Sequence, residues 1–168
     1  MGYKVLLAQD VSESGKELLK ENGCEVILAP REDPEVMKEL IQDCDACFSK
    51  TFFFSEDILK EGKKLQVVSK HGVGVDNVDV EAATEHGIIV CNAPTSNIVS
   101  AAEHAIGLML ACARKVPQAN ASMHEGVWER GKYTGVELYE KTLAIFGLGR
   151  IGGLVAERAS AFGMKLVG

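Results

Sequence analysis

Short apolar runs alternate with amphipathic stretches along the first 96 residues, and this alternation limits the possible fold more than any other feature. "YKVLLAQ" is followed by a helical pattern from Ser12 to Asn22 that stops at Gly23, and "EVILA" by one from about Pro34 to Gln42. "ACFSK" precedes a short helix from Ser55 to Glu61, "LQVVSK" precedes a helix in "VDVEAATEHG", and "IIVCN" ends the series. Runs this short and this continuously apolar read as strands covered on both faces, the condition of a parallel sheet. Parallel neighbours must be joined by crossovers, and right-handed crossovers place helices on both faces. The expectation is an α/β fold in which residues 1–96 form a flavodoxin-like parallel-sheet lobe.

A different texture follows. "NAPTSN" supplies a turn and a helix start, with Ser100 and Glu103 at capping-box spacing. A long apolar helix is expected from about Asn97 to Lys115, and Pro117 marks a break or the start of another element. Residues 97–120 read as a connecting helix, "ANASMHEGVWER" as a further helix, and "GKYTGVELYEK" as a loop running into a strand at Leu143. The stretch "LAIFGLGRIGGLVAERASAFGMKLVG" then sets Gly147, Gly149 and Gly152 at G-x-G-x-x-G spacing between a strand and a helix, with another strand from Lys165. In that setting the first glycine permits the tight turn and the second lets a pyrophosphate approach the backbone. The third lets helix and strand pack closely. The helix N-terminus offers unpaired N–H groups and a positive dipole end to the phosphates.

A ribose-binding acid is expected about 20 residues beyond the glycines, whereas the sequence reaches only Gly168. Residues 121–168 are therefore read as a truncated dinucleotide-binding domain, the first βαβ of an incomplete Rossmann fold. So small a sheet remnant lacks much of its normal burial, so this part is expected to be mobile, swapped or packed on another copy.

Composition removes several alternatives. The net charge is −6 with no basic stripe, which argues against a nucleic-acid partner. The most apolar stretch, "AIGLMLACA", is nine residues long, against about 18 for a membrane span. The opening residues do not form a signal peptide, and the expectation is a cytoplasmic protein with no membrane partner. Cys44 and Cys47 form a C-x-x-C among five cysteines, but no second pair or paired histidines complete a metal site. They read as small side chains entering a buried strand, and no metal is expected.

Three segments together resemble the D-isomer-specific 2-hydroxyacid dehydrogenases: "KHGVGVDNVDVEAATEHGIIVCNAPTSNIVSAAEHAIGLML", "RKVPQANASMHEGVWERGKYTGVELYEKTLAIFGLGRIG" and "FGMKLVG". Within that family the wording is nearest to the branch acting on 3-phosphoglycerate, in serine biosynthesis. The resemblance implies a catalytic domain split between the beginning of the chain and a later return segment, with a coenzyme domain inserted. It also implies NAD as cofactor, a 2-hydroxy acid or 2-keto acid as substrate, and a homo-oligomeric full-length enzyme. The family's catalytic Arg, Glu and His lie further on in the coenzyme domain. None of them maps onto this sequence, and His71, His86, His104 and His124 do not match the catalytic histidine. No catalytic residue is assigned, and the 168-residue chain alone is expected to be inactive.

By the same resemblance, the amides of Val73 and Gly74 in the "HGVG" loop face the substrate, with Val73 also near the nicotinamide end. Gly72 and Gly74 keep the backbone open to a carboxylate, although a tight turn alone also needs small residues. Lys50 and Thr51 stand where the phosphoglycerate branch carries Arg-Ser, and Lys70 where Arg is common. Each lysine is either a substrate-phosphate contact or a solvated surface cation. His71 either assists binding or is a structural loop residue. Arg150 and Ile151, with Gly147, Gly149 and Gly152, match the pyrophosphate-contacting turn. The "FFF" at 52–54 is a lid or simple packing, and Trp128 belongs to a helix resembling the dimer-forming region or to the core. Two other classes compete. One is a non-catalytic NAD(H)-sensing protein of the same family. The other is a receiver-type signalling module, disfavoured because Ser49 and Lys50 stand where such modules carry an Asp.

Overall fold

The strand β1 (Lys4–Leu7) has a strand on either side in a five-stranded sheet. The other strands are β2 (Glu25–Leu28), β3 (Ala46–Ser49), β4 (Val67–Lys70) and β5 (Ile89–Cys91). The computed structural model, which describes residues 2–168, orders them β2-β1-β3-β4-β5, all parallel. This is the flavodoxin-like order, with its topological switch between β1 and β3. The register places Val5 beside both Val26 and Ala46, and Val67 beside both Ala46 and Ile89.

The crossovers are α1 (Glu13–Glu21), α2 (Pro34–Ile41), α3 (Glu56–Leu59) and α4 (Val80–Glu85). Two of them begin at an aspartate that accepts backbone N–H groups of the first turn: Asp33 from Glu35 and Val36, and Asp79 from Ala82. The core lies on the α2–α3–α4 side, where Leu6, Met37, Ile41, Cys47, Phe54, Ile58, Leu59, Val68 and Ala83 are almost wholly buried. Cys44 and Cys47 are fully buried among these side chains as free thiols, and burial pushes both pKa values up.

The chain forms two compact units, one ending at Ser96 and the other running Asn97–Gly168. The second contains α5 (Ile98–Ala113), α6 (Val116–His124), β6 (Thr142–Ala144), α7 (Arg150–Ala161) and β7 (Lys165–Val167). β6 and β7 pair in parallel through α7, giving one βαβ unit. Helix α5 packs against α7, with Ala102, Ile106 and Ala159 as buried residues of the pair. No helix among the described residues is long and apolar enough to cross a membrane.

Three expectations need correction. The capping box at Ser100 and Glu103 does not form, because α5 already starts at Ile98 after the turn closed by Ser96 on Ala93. Glu103 instead lies 3.8 Å from Arg158 of α7. The long helix also ends at Ala113, since Lys115 turns left-handed (φ 53°) and Pro117 starts α6. Finally, α6 stops at His124, where Gly126 takes φ 73° and Ser122 Oγ donates to Val127 O at 2.7 Å. Trp128 therefore stands beyond the helix and outside the core, 72% exposed.

Candidate functional site

In the first unit the residues of interest gather at the carboxyl ends of β1, β3 and β4, where parallel sheets present their ligands. Ala8, just past β1, donates its amide to Phe48 O, and the next side chain, Gln9, reaches across to the loop after β3. Gln9 Oε1 accepts three successive backbone N–H groups: Lys50 at 3.0 Å, Thr51 at 2.7 Å and Phe52 at 3.0 Å. Its Nε2 donates to Glu32 Oε2 at 3.0 Å and to the Thr51 hydroxyl. Three N–H groups converging on one oxygen form a backbone nest, here filled by a side chain.

From below, the same loop is tied by Ser49 and Asn77, both buried. Ser49 Oγ donates to Phe52 O at 2.9 Å, and Asn77 Nδ2 donates to Phe52 O at 2.8 Å and to Ser49 Oγ. The Phe54 amide closes on Asn77 O at 2.9 Å. The aromatic run divides accordingly. Phe52 and Phe54 pack edge to face with centroids 5.2 Å apart and are buried, while Phe53 is 53% exposed.

Lys50 and Thr51 are left exposed at the rim, and Lys70 joins them by donating from Nζ to Lys50 O. An ammonium has three donors, so two remain for another acceptor. Asp10 lies nearby. Its carboxyl is held below the usual range mainly by the hydrogen bond and charge of Lys16, with a smaller contribution from Lys50.

The "HGVG" loop leaves β4 with the His71 amide on Ser49 O at 2.7 Å. Gly72 sits at φ 147°, a conformation that disfavours a side chain. The loop's carbonyls are drawn toward the segment after β5: Ala93 N–H donates to Gly72 O at 2.9 Å, and Asn92 Nδ2 to Val73 O at 2.6 Å. Among the described residues no backbone carbonyl takes the Val73 or Gly74 amide, and both residues are exposed. The His71 ring lies 6.2 Å from that of Phe48, in a tilted contact at the mouth of an apolar cavity lined by Leu7, Val11, Leu18 and Leu19.

In the second unit, Gly147 takes φ 97° and makes the turn between β6 and α7. A Cβ on Gly152 would fall 2.0 Å from Gly147 O, so helix and turn touch where only hydrogen fits. A Cβ on Gly149 would meet nothing within 4 Å, which leaves that face open to a ligand. Gly149 is the N-cap of α7 and brings no side chain to the first-turn N–H groups. Arg150 and Ile151 follow, both exposed on that first turn. A glycine turn of this shape, with an uncapped helix N-terminus, fits a dinucleotide pyrophosphate.

The predicted residues thus fall into two groups, Lys50, Thr51 and 70–74 in one unit and 147–152 in the other. Gln9, Asn77 and Asn92 were missed by sequence reasoning. Gln9 and Asn92 each stand just past the carboxyl end of a parallel strand, a position that itself signals a ligand edge.

The sequence profile of the catalytic domain of D-isomer specific 2-hydroxyacid dehydrogenases matches residues 5–164. The D-3-phosphoglycerate dehydrogenase of Methanocaldococcus jannaschii is 46% identical over 98% of the chain, which covers 32% of that relative. The chain thus spans about a third of the length of the curated relatives it matches. Among solved structures, the TT0316 protein of Thermus thermophilus superposes with a TM-score of 0.89 at 30% identity, over 97% of this chain and 54% of that one. An NAD+-bound 3-phosphoglycerate dehydrogenase of Entamoeba histolytica gives 0.78 at 32% identity, over 99% of this chain and 53% of that one.

Proposed function

Because the chain belongs to the D-isomer-specific 2-hydroxyacid dehydrogenase family, we infer that it is part of an NAD-dependent enzyme interconverting a D-2-hydroxy acid and its 2-keto acid. In this reading residues 1–96 are the first lobe of a split substrate domain, 97–120 the connecting helix, and 121–168 the opening of the NAD-binding domain. The favoured substrate is 3-phosphoglycerate. The observation that carries the reading is the 46% identity with a D-3-phosphoglycerate dehydrogenase along nearly the whole chain.

Each group of residues then has a task. The Val73 and Gly74 amides donate to the substrate carboxylate, a role favoured by a loop whose carbonyls are already engaged. Lys50, Thr51 and Lys70 meet the substrate phosphate, and His71 borders that site. The α7 N-terminus, with Arg150 and Ile151, holds the pyrophosphate, and Gly149 leaves it room. Bound NAD supplies the hydride acceptor. The proton on the substrate hydroxyl needs a base, and no residue in these loops is assigned to that task, so the 168-residue chain is expected to bind without turnover. Self-association of the full-length enzyme fits the exposure of Trp128 and Phe146, at 72% and 99%.

Amide spectra of the chain titrated with NADH and with D-3-phosphoglycerate, beside an assay for NAD reduction, test this reading. NADH should move the amides of residues 147–152, phosphoglycerate those of 50–51 and 70–74, and no NADH should form. Absence of any NADH response would sink the proposal, and turnover would refute the expected inactivity. NADH binding without a response to any 2-hydroxy acid would favour an NAD(H)-sensing protein.

A further inference from the structure

We propose that Gln9 is the positioning residue of the phosphate end of the substrate site, a role that rests on the reading of Lys50, Thr51 and Lys70 given above. Its carboxamide does two things at once. Oε1 gathers the Lys50, Thr51 and Phe52 amides at 2.7–3.0 Å, so these N–H groups are spent on the protein and do not face the ligand. Nε2 donates to Thr51 Oγ1. A hydroxyl that accepts on one side keeps its own O–H free to donate on the other, and an anionic oxygen is the natural acceptor.

The same fixed backbone presents the Lys50 carbonyl, on which Lys70 Nζ rests. One neutral side chain therefore sets the direction of the Thr51 hydroxyl and the place of the Lys70 ammonium. Glu32, which accepts the other Nε2 hydrogen at 3.0 Å, holds the carboxamide in the orientation that makes both possible. A glutamate at position 9 would keep the acceptor for the three amides but lose both donations and add a negative charge beside the anion.

The test compares the native chain with Gln9→Ala, Gln9→Glu and Thr51→Val. The affinities of D-3-phosphoglycerate and D-glycerate are measured from amide shifts, with NADH affinity as a control and amide exchange at residues 50–52 as a structural readout. Gln9→Ala should weaken phosphoglycerate at least tenfold and leave D-glycerate and NADH within about twofold, while exchange at 50–52 accelerates. Gln9→Glu should restore slow exchange without restoring phosphoglycerate affinity. Thr51→Val, at an exposed position, should give a loss of phosphoglycerate affinity comparable to that of Gln9→Ala, whether or not Gln9→Ala folds. An unchanged ratio of phosphoglycerate to glycerate affinity in Gln9→Glu and Thr51→Val would overturn the proposal while the substrate-site reading stands. Failure of phosphoglycerate to move the Lys50, Thr51 and Lys70 amides of the native chain would overturn both.

Discussion

Replacing Asn77 by aspartate changes one NH2 group into an oxygen, and the network around it makes the consequence calculable. Asn77 Nδ2 donates to Phe52 O at 2.8 Å and to Ser49 Oγ, and the side chain is buried. The Phe52 carbonyl can only accept, so the amide orientation follows from the network. Asn77 Oδ1 is left without a partner among the described residues. In Asn77→Asp both donations are lost, at about 0.5–1.5 kcal/mol each, or about 1–3 kcal/mol together. A carboxyl in this setting also resists ionisation. If its folded-state pKa rises by about 3 units above the ordinary value of about 3.9, the charge adds about 4 kcal/mol of destabilisation at neutral pH.

The folded protein then binds the proton more tightly than the unfolded chain. The charge penalty is complete above the folded pKa, near 7, and shrinks as the pH falls, vanishing below the unfolded value near 4. Asn77→Ala loses the same bonds but buries no charge and removes the unpartnered oxygen, so it should cost about 1–2 kcal/mol at any pH. Urea unfolding read through amide exchange in β3 and β4, at pH 7.5 and 4.5, distinguishes the two variants. An aspartate variant within about 1 kcal/mol of the native chain at pH 7.5, or one whose deficit grows on acidification, would refute this account.

Other outcomes follow from the same geometry. Gly152→Val drives a side chain into Gly147 O, so it should abolish amide protection in β6 and β7 and weaken NADH at least tenfold, read by hydrogen exchange and fluorescence titration. Gly149→Ala meets open space, so it should weaken NADH while changing stability by less than about 0.5 kcal/mol in a denaturant titration. Phe54→Ala empties a fully buried site and should cost about 3–5 kcal/mol, measured by the same titration. An aromatic-disulfide thiol reagent should label exposed Cys91 and Cys112 rapidly in the native chain, whereas buried Cys44 and Cys47 should react only as it unfolds.

The five-stranded sheet was legible because its strands are short, continuously apolar runs, and the β6–α7 turn because Gly147, Gly149 and Gly152 stand at G-x-G-x-x-G spacing between a strand and a helix. The misplaced ends of α5 and α6 arose where two local signals competed. Ser100 and Glu103 have capping-box spacing, but the turn at 93–96 had already launched the helix, and the Trp128 segment is helical in pattern until Gly126 interrupts it. Gln9 escaped for another reason. Its partners, Lys50, Thr51 and Phe52, are more than forty residues away, and only the pairing of β1 with β3 brings them within reach.

Burial separates what sequence can and cannot say in the second unit. "TLAIF" is as apolar as "KVLLA", yet β1 is buried over Val5–Leu7 whereas every residue of β7 is exposed and Phe146 is 99% exposed. The difference lies in the neighbours: β1 has a strand on either side, whereas among the described residues β6 and β7 pair only with each other. A parallel pair normally lies inside a larger sheet covered on both faces. The glycine turn needs none of that cover, because its shape is fixed by the φ of Gly147 and the approach of Gly152 to its carbonyl oxygen. Contacts that a pyrophosphate makes to this backbone should therefore depend on the turn itself. Supplying further sheet should tighten NADH binding chiefly by adding contacts to the rest of the dinucleotide.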